Sequence, residues 1–286
     1  MKDFIFGMVH TNQSSKYTPL AVESFFKHNK HSQKLYLIDN DDNIDSSCPD
    51  LRKFKNLEII KRDSPKSFAQ NANLFAKKAL ETKSHLFFLN NDLVFSENWL
   101  TPFLNNTNSI QVPSCNMQYQ YIANSFKLEF SMPIKSYHGN EQLFNQISKS
   151  HCARNLGLIY VHTVPYYCVN IPYGVLKKVG LFDERYTPYG WEDTDYTVRT
   201  LKEGIPIYVN ANSFILHFYG KSTWNKDGHP VTTGDKHCAE LFIEKWGQEL
   251  ADIFGYQKAE ALASLQGINF TNSIPKLREL IKAKMR

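Results

Sequence analysis

Short apolar runs alternate with helical patterns along the first hundred residues, and this alternation limits the folds that the chain can adopt. Apolar residues at helical spacing predict helices at Leu20–His28 and Ser67–Leu80, the second capped by Ser67. The apolar runs predict strands at Phe4–Val9, Lys34–Asp39, Leu57–Lys61 and His85–Leu89. Strands that alternate with helices are typical of a mostly parallel sheet flanked by helices. We therefore predict an α/β fold.

Polar side chains follow three of these predicted strands. In open α/β sheets, ligands bind beyond the carboxyl ends of the strands. The polar residues at those ends are Thr11, Asn12, Asp39, Asn40, Asn90, Asn91 and Asp92. We therefore expect a binding site along this edge of the sheet.

The pattern is less regular over residues 114–165 and becomes regular again beyond them. Residues 114–165 hold many Tyr, Phe and Asn side chains, which predicts an insertion over the site. Further elements are expected as helices at Tyr173–Val179 and from Glu192 to Gly204, strands at Ile207–Val209 and Phe214–His217, a polar loop at Tyr219–Asp235, and C-terminal helices. This order predicts one α/β domain over residues 1–235 and a helical extension over residues 236–286.

Composition argues against several classes of protein. The chain has 286 residues, 42% of them hydrophobic and 21% charged, as expected of a globular protein. Its net charge of +5 is spread along the chain, whereas nucleic-acid binders usually concentrate basic residues on one face, so we expect no nucleic-acid partner. No apolar run approaches the roughly 18 residues of a membrane span. The first residues lack the layout of a signal peptide.

The cysteines favour a reducing compartment. They are odd in number and form no Cys-x-x-Cys motif. A zinc site could be drawn from His151, Cys152, His162 and Cys168, but zinc ligands are usually more closely spaced, which favours free buried thiols. Together with the absence of a targeting pattern, this predicts a cytoplasmic protein.

An acidic cluster follows an aromatic-glycine turn at Tyr189-Gly190-Trp191. Glu192, Asp193 and Asp195 place three carboxylates within four residues at the start of a helical pattern. Acidic residues at a helix start complement the helix dipole and cap its free N–H groups, which explains one or two of them. Three exceed what a cap needs, and repulsion between them would raise a pKa, as a general base requires. Both interpretations remain open from the cluster alone.

A second acidic signal, Asn90-Asn91-Asp92, follows the predicted strand His85–Leu89. Asn and Asp are ordinary turn residues, so the motif is compatible with a plain turn. It is equally compatible with a metal site, because Mg²⁺ takes only one or two protein carboxylates besides phosphate oxygens and waters. His217, at the end of another apolar run, is the candidate second ligand and favours Mn²⁺, although a strand-end histidine is often structural.

In combination, these segments resemble the glycosyltransferases of the GT-A fold, most of all glycosyltransferase family 2. The resemblance covers about residues 4–222 and depends on the order of its motifs. The motifs are Phe4–Asn12, Leu37–Asn40, Ser67–Asn73, Phe88–Asp92, Val179–Glu184, Glu192–Asp195 with Arg199, and His217–Ser222. Because residues 114–165 and 223–286 are not covered, the resemblance says nothing about the parts expected to select an acceptor.

The resemblance implies a role for each of these residues. Asp193 is implied as the catalytic base, and Asp92 with His217 as the ligands of Mn²⁺ or Mg²⁺. Asn90 stands where the Asp-x-Asp metal motif is usually acidic, which leaves Asp92 as the surer ligand. Contacts with the nucleotide-sugar donor are predicted for Thr11, Asn12, Asp39 (to the base), Asn40, Asn71, Asn90, Asn91 and Lys221. Contacts with the acceptor are predicted for Tyr189, Trp191 and Glu192.

The implied activity is inverting, hexosyltransferase-type sugar transfer from a nucleotide-diphosphate sugar to a hydroxyl group. A saccharide or a lipid-linked acceptor, in bacterial surface polysaccharide or glycoconjugate synthesis, is the expected setting. A sugar nucleotidyltransferase and a catalytically inactive sugar-binding protein of the same fold are the alternatives. The basic segment Pro275–Arg286 could touch an anionic membrane peripherally or pack on the domain, and both alternatives remain open.

Overall fold

The structure is a computed structural model that describes residues 3–29, 33–116, 137–218, 232–258, 260–261, 275 and 278–283, and of residues 232–235 the backbone alone. Its strands are β1 (Phe4–His10), β2 (Leu35–Asp39), β3 (Leu57–Lys61), β4 (His85–Leu89), β5 (Leu93–Phe95), β6 (Ile110–Cys115), β7 (Leu158–Val161), β8 (Cys168–Ile171) and β9 (Ile207–His217). Its α-helices are α1 (Thr18–His28), α2 (Ile44–Ser47), α3 (Phe68–Thr82), α4 (Glu141–Ala153), α5 (Tyr173–Val179), α6 (Glu192–Lys202), α7 (Thr232–Trp246) and α8 (Gln248–Phe254).

The described strands form one central sheet in the order β3-β2-β1-β4-β8-β6-β9-β5, and β7 pairs with β9. The pairings among β3, β2, β1 and β4 are parallel, so the carboxyl ends of these strands lie along one edge. Beyond β4 the sheet is mixed, because β8 runs antiparallel to both β4 and β6. The pairing of β6 with β9 is again parallel. The predicted α/β class with a mostly parallel sheet is therefore confirmed, and the antiparallel pairings are those of β8, β5 and β7.

Aromatic side chains fill the core between the sheet and its helices. The rings of Phe6 and Phe87 stack at 5.4 Å between centroids, and Trp99 meets Phe87 edge-on, also at 5.4 Å. On α3, Phe75 lies so close to Gly7 that a Cβ at position 7 would come within 2.3 Å of its ring. Position 7 therefore has to be glycine for α3 to pack this tightly on β1.

The predicted cap of α3 is confirmed. The Ser67 side chain accepts a hydrogen bond from the Gln70 N–H, and the Gln70 side chain accepts one from the Ser67 N–H, at 3.2 and 3.0 Å. This reciprocal capping box satisfies two of the N–H groups that a helix start leaves unpaired. It places the first turn of α3 beside the end of β4.

The second half of the chain adds elements that the pattern did not predict. The described part of the predicted insertion, residues 114–165, contains α4 and also β7, which belongs to the central sheet. The two strands predicted at Ile207–Val209 and Phe214–His217 are one strand, β9. Polar residues lie between the two predicted parts, where the register shifts and Ser213 Oγ donates to Trp99 O at 2.6 Å. Tertiary hydrogen bonds thus allow polar side chains inside a strand.

The C-terminal helices share the core of the α/β domain. Phe242 and Trp246 of α7 and Leu250 of α8 are buried in the same hydrophobic cluster as the sheet residues. Ile281 is also buried in it, and Arg278 Nε donates to Lys202 O at 3.1 Å. Among the described helices, none is long and apolar enough to cross a bilayer.

Candidate active site

The ends of β1 and β2 meet at the predicted edge, where His10 pairs with Asp39 in register. Asp39 is fully buried, and its two carboxylate oxygens accept the N–H groups of Asn43 and Ile44, each at 3.1 Å. His10 Nε2 lies 3.1 Å from Asn43 Oδ1, so it braces the same loop. The Asp39 carboxylate therefore holds the loop that begins α2, and its contact with a nucleobase stays a prediction.

Asn40 and Asn71 are buried and hydrogen-bonded to each other. Asn40 Oδ1 accepts from Asn71 Nδ2 and from the Lys66 N–H, both at 3.0 Å. Asn71 Oδ1 in turn accepts from Arg62 Nε at 3.2 Å. These bonds fix the loop between β3 and α3 against the end of β2, and they bring together two residues predicted to contact the donor.

Thr11, Asn12 and Asn91 surround a short helical turn that follows β1. The Thr11 N–H donates to Ser14 Oγ at 3.1 Å, and Asn91 Nδ2 also donates to Ser14 Oγ. The Asn12 N–H donates to Asp41 Oδ2 at 2.7 Å. The ends of β1, β2 and β4 are thereby linked through side chains. The donor contacts of Thr11, Asn12 and Asn91 stay predictions.

Asp92 and His217 are adjacent in space although 125 positions apart in the chain. The strand β5 begins directly after Asp92 and pairs with the end of β9, with Leu93 opposite His217. Asp92 Oδ1 lies 3.3 Å from His217 Nε2, and the two side chains are 1% and 4% exposed. The Phe218 N–H also donates to the Asp92 carbonyl at 2.9 Å. The two predicted metal ligands therefore form one buried pair.

The charge of this pair depends on the protonation of His217. Burial by itself would lower the pKa of the imidazole, but the charge of Asp92 and hydrogen bonds to Asp92 and Cys115 raise that pKa to about 9. One carboxylate oxygen and one imidazole nitrogen fit a divalent cation, and at 3.3 Å they are close enough to share one at the roughly 2.1 Å ligand distance of Mg²⁺. Such a cation would take the place of the His217 proton, because only the neutral imidazole is a ligand. Among the described residues, no group of three His, Cys, Asp or Glu side chains converges on a common point.

Tyr166 and Tyr167, just before β8, connect this pair to Asp193. The Tyr167 carbonyl accepts the Asn90 N–H at 2.8 Å, and the Tyr167 ring stacks on the His217 imidazole at 5.0 Å. The neighbouring residue, Tyr166, forms a backbone hydrogen bond with the Asp193 carboxylate. Asp92, His217 and Asp193 therefore surround one dipeptide at the end of β4.

Asp193 lies in the first turn of α6 and is half-buried. Burial raises the pKa of its carboxyl group, although backbone hydrogen bonds from Thr194 and Tyr166 act in the opposite direction. The Thr194 N–H donates to Asp193 Oδ1 at 2.7 Å. A carboxylate whose pKa is raised by burial and whose orientation is held by backbone donors is suited to accept a proton.

The three carboxylates of the acidic cluster differ in environment. Asp195 is fully buried, and its oxygens accept hydrogen bonds from Arg199 Nε at 2.9 Å and from Trp246 Nε1 at 2.7 Å. Glu192 is buried at the helix start. Asp195 therefore has a structural explanation, which leaves Asp193 as the least buried of the three acids.

The aromatic residues before α6 differ in how far they are covered. Trp191 is 9% exposed, and its ring meets Phe242 and Tyr256, each at 5.0 Å between centroids. The Trp191 ring is thus largely covered by Phe242 of α7 and by Tyr256, just after α8. Tyr189 is half-buried, and Tyr256 is 48% exposed. The acceptor contacts of Tyr189, Trp191 and Glu192 stay predictions.

Sequence reasoning missed Ser14, Tyr166 and Tyr167. The strand β8 was not predicted, although Cys168-Val169-Asn170-Ile171 lies between Pro165 and Pro172 and is a short apolar run bounded by turn residues. Recognising it would have placed Tyr167 at a sheet edge. Lys221 and most of the predicted loop Tyr219–Asp235 lie outside the described residues.

Comparison with known proteins relates the fold to solved structures. No protein-family profile matches the sequence. No curated protein matches it significantly. The crystal structure of GalNAc-T7 with UDP, GalNAc and Mn²⁺ is similar to this protein, with a TM-score of 0.63 and 15% identity. The match covers 100% of this chain and 55% of the GalNAc-T7 chain. This chain therefore spans about half the length of that structure.

A second similar structure is that of residues 1–349 of TarS from S. aureus. It matches 98% of this chain and 83% of its own, with a TM-score of 0.53 and 16% identity. The same TarS segment in complex with UDP-GlcNAc matches with a TM-score of 0.52 and 13% identity. GalNAc-T7 and TarS are both GT-A-type glycosyltransferases. The mixed sheet, its flanking helices and these two likenesses agree: the chain has the GT-A fold.

Proposed function

We propose that this protein is an inverting, metal-dependent glycosyltransferase that moves a sugar from a nucleotide-diphosphate sugar to a hydroxyl group. One observation carries the proposal. In the dipeptide Tyr166-Tyr167, the backbone of Tyr166 is hydrogen-bonded to Asp193, and the ring of Tyr167 stacks on His217. A general base and a candidate cation site thus lie on two sides of one short segment, at the edge where α/β sheets bind ligands.

Asp193 is the proposed base. Its carboxylate takes the proton of the acceptor hydroxyl while the acceptor oxygen attacks the anomeric carbon of the donor. The bond between that carbon and the diphosphate oxygen breaks, and its electron pair leaves on the nucleoside diphosphate. Attack from the face opposite the leaving group inverts the configuration. The raised pKa of Asp193 supports this role because a base is most effective when its pKa approaches the working pH.

Asp92 and His217 are the proposed ligands of Mn²⁺ or Mg²⁺. Such a cation, when bound, would offset the negative charge that collects on the departing diphosphate. The mixed donor set of one carboxylate and one imidazole favours Mn²⁺. The GalNAc-T7 structure was obtained with Mn²⁺, which is consistent with divalent cation use in this fold.

The donor edge supplies the proposed nucleotide contacts. The loops that Asp39, Asn40 and Asn71 hold in place line the ends of β1 and β2. Both TarS with UDP-GlcNAc and GalNAc-T7 with UDP bind uridine nucleotides, so we take a UDP-sugar as the first donor to test. A saccharide or lipid-linked acceptor, in surface polysaccharide or glycoconjugate synthesis in the cytoplasm, completes the proposal.

A thermal-shift screen of nucleotide sugars with and without Mn²⁺ tests donor binding, because a ligand that binds only the native state raises the melting temperature. We expect a UDP-sugar to raise it more with Mn²⁺ than without. Slow release of UDP in the presence of Mn²⁺ would then establish enzymatic turnover. Binding without any release would indicate an inactive sugar-binding protein. Release of pyrophosphate from a nucleoside triphosphate and a sugar phosphate would indicate a nucleotidyltransferase.

A further inference from the structure

The first turn of α6, which carries Asp193, is not fixed by a side-chain cap. Its N-cap residue, Trp191, has a left-handed backbone with φ of 68° and makes no capping hydrogen bond through its side chain. A helix start without such a cap depends on other contacts for its position. In this protein the contacts include Tyr166 at Asp193 and Tyr186 at Asp195, and the C-terminal helices α7 and α8 add several more.

Asp195 is the main attachment point between α6 and α7. Its Oδ1 atom accepts from Trp246 Nε1 and lies close to Lys245 Nζ, both at 2.7 Å. Its Oδ2 atom accepts from Arg199 Nε at 2.9 Å, within α6 itself. Asp195 is fully buried, whereas Lys245 remains 24% exposed. Two adjacent residues at the end of α7 therefore hold one buried carboxylate of α6.

Lys245 also contacts the segment that leads into α6. Its Nζ atom lies 2.9 Å from Asp183 Oδ2, and Asp183 is paired with Arg185 at 2.6 Å. Charge-assisted hydrogen bonds of this kind are shorter and stronger than neutral ones. Lys245 thus connects α7 both to Asp195 of α6 and to the segment that precedes α6.

The C-terminal helices also pack against Trp191. Its ring lies against Phe242 of α7, and a Cβ at Gly255, just after α8, would come within 2.0 Å of the indole. The residues on either side of Asp193 are therefore both held by the C-terminal helices, Trp191 by packing and Asp195 by hydrogen bonds.

We propose that Lys245 and Trp246 are positioning residues for Asp193, acting through Asp195; the inference rests on the proposed function of Asp193. Asp193 and Asp195 share the first turn of α6, so a shift of Asp195 displaces the Asp193 carboxylate as well. A misplacement of about 1 Å at a reacting group costs on the order of a hundredfold in rate. The C-terminal helices, predicted as an extension of the α/β domain, thereby become part of the catalytic apparatus.

Lys245→Met and Trp246→Phe are the test variants, since each removes the donor to Asp195 and keeps an apolar side chain in its place. Lys236→Met is the matched control on α7, because Lys236 is 82% exposed and its ion pair among the described residues is with Glu240 of the same helix. Phe54→Leu, which loosens the stacked pair of Phe26 and Phe54 at the β3 end of the sheet, controls for general loss of stability.

We expect both test variants to lower kcat by roughly tenfold or more, with donor KM and donor affinity unchanged, well below their melting temperatures. Lys245→Arg, which keeps the positive charge, should recover most of the rate. Neither control should change kcat. Phe54→Leu is expected to lower the melting temperature without changing kcat. If the test variants behave in the same way, the positioning role is wrong.

A second measurement needs no turnover and so separates this inference from the proposed function. Carboxyl NMR of Asp-labelled protein, with Asp193→Asn to assign the signal, follows the titration of Asp193 directly. The charged residues of the same helix are Glu192, Asp195 and Arg199, and Lys245 on α7 contacts Asp195; Tyr166 contacts Asp193 from the segment before β8. Loss of the Lys245 charge should shift the midpoint to higher pH. An unchanged Asp193 signal in Lys245→Met would overturn the inference even in an inactive protein.

Discussion

The phenol ring of Tyr167 stacks on the imidazole of His217, with 5.0 Å between centroids and 22° between planes. The Tyr167 hydroxyl donates to the Pro113 carbonyl, and its own carbonyl accepts the Asn90 N–H. The ring is therefore fixed at both ends, and it sets the plane of the histidine that pairs with Asp92. Groups that orient a metal ligand in this way commonly affect affinity almost as much as the ligand itself.

Replacing Tyr167 tests this support. Tyr167→Leu removes the stacking surface, and we expect Mn²⁺-dependent donor affinity to fall roughly tenfold. Tyr167→Phe keeps the ring and loses only the hydroxyl, so it is the matched control and should bind nearly as the wild type does. Isothermal titration of a UDP-sugar with and without Mn²⁺ measures both. Equal losses in the two variants would show that the ring does not support His217.

Asp193→Asn tests the base. The amide keeps the shape of the side chain but cannot accept a proton, so turnover should fall on the order of a hundredfold or more. Donor affinity should stay as in the wild type, because Asp193 acts on the acceptor. Asp50→Asn, at an exposed carboxylate, is the control. Turnover retained by Asp193→Asn would remove this residue from the base role.

The raised pKa of Asp193 has a consequence for stability. Burial favours the neutral carboxyl group, so the folded pKa lies above the unfolded value of about 3.9. The folded protein therefore loses stability as the pH rises through the folded pKa, because the buried group then ionises. Asp193→Asn cannot ionise, so its melting temperature relative to the wild type should rise between pH 4 and pH 8, on the order of a few degrees. A pH-independent difference would contradict the raised pKa.

The raised pKa of Asp193 also predicts how kcat falls at acidic pH. Asp193 acts as a base only when it is ionised, so kcat should decline as the pH falls through its pKa. That decline should lie above the ordinary aspartate range near pH 4. A profile of kcat against pH in the wild type measures it. A rate that stays constant to pH 4 would mean that a group with an unshifted pKa is the base.

Asp92→Asn tests the cation site. The substitution removes the negative charge while keeping the volume, so Mn²⁺-dependent donor affinity should fall by roughly 10–100-fold, the range seen even for groups that only support a ligand. Donor affinity measured without Mn²⁺ should change little. Calorimetric affinity that is unchanged in the presence of Mn²⁺ would exclude Asp92 as a ligand.

Deletion of residues 275–286 tests membrane contact. Ile281 is buried in the core, and Arg278 is bonded to the carbonyl of Lys202, so the described residues 278–283 of this segment pack on the domain. We expect equal flotation with anionic liposomes before and after the deletion, together with a lower melting temperature. Flotation that depends on the segment would instead support the peripheral contact considered from the sequence.

Local patterns in the sequence determined much of the fold. The strands Leu57–Lys61 and His85–Leu89 and the helix Tyr173–Val179 lie where the patterns predicted them, because hydrophobic spacing and capping residues act over a few positions. The strands β5, β6, β7 and β8 were missed, since each is stabilised by pairing with strands that lie far away in the chain. Such pairing leaves little trace in the local pattern.

The sequence by itself also identified Asp92, His217 and Asp193 as candidates, because carboxylates and a histidine at predicted strand and helix ends suggest metal and proton chemistry. Only the tertiary structure decided which of them meet and what each neighbour does. It paired Asp92 with His217 across 125 positions, buried Asp195 against the end of α7, and covered Trp191. The physical reason is that burial and charge pairing depend on surfaces from distant segments. The type of a residue limits its chemistry, but its partners determine which part of that chemistry it performs.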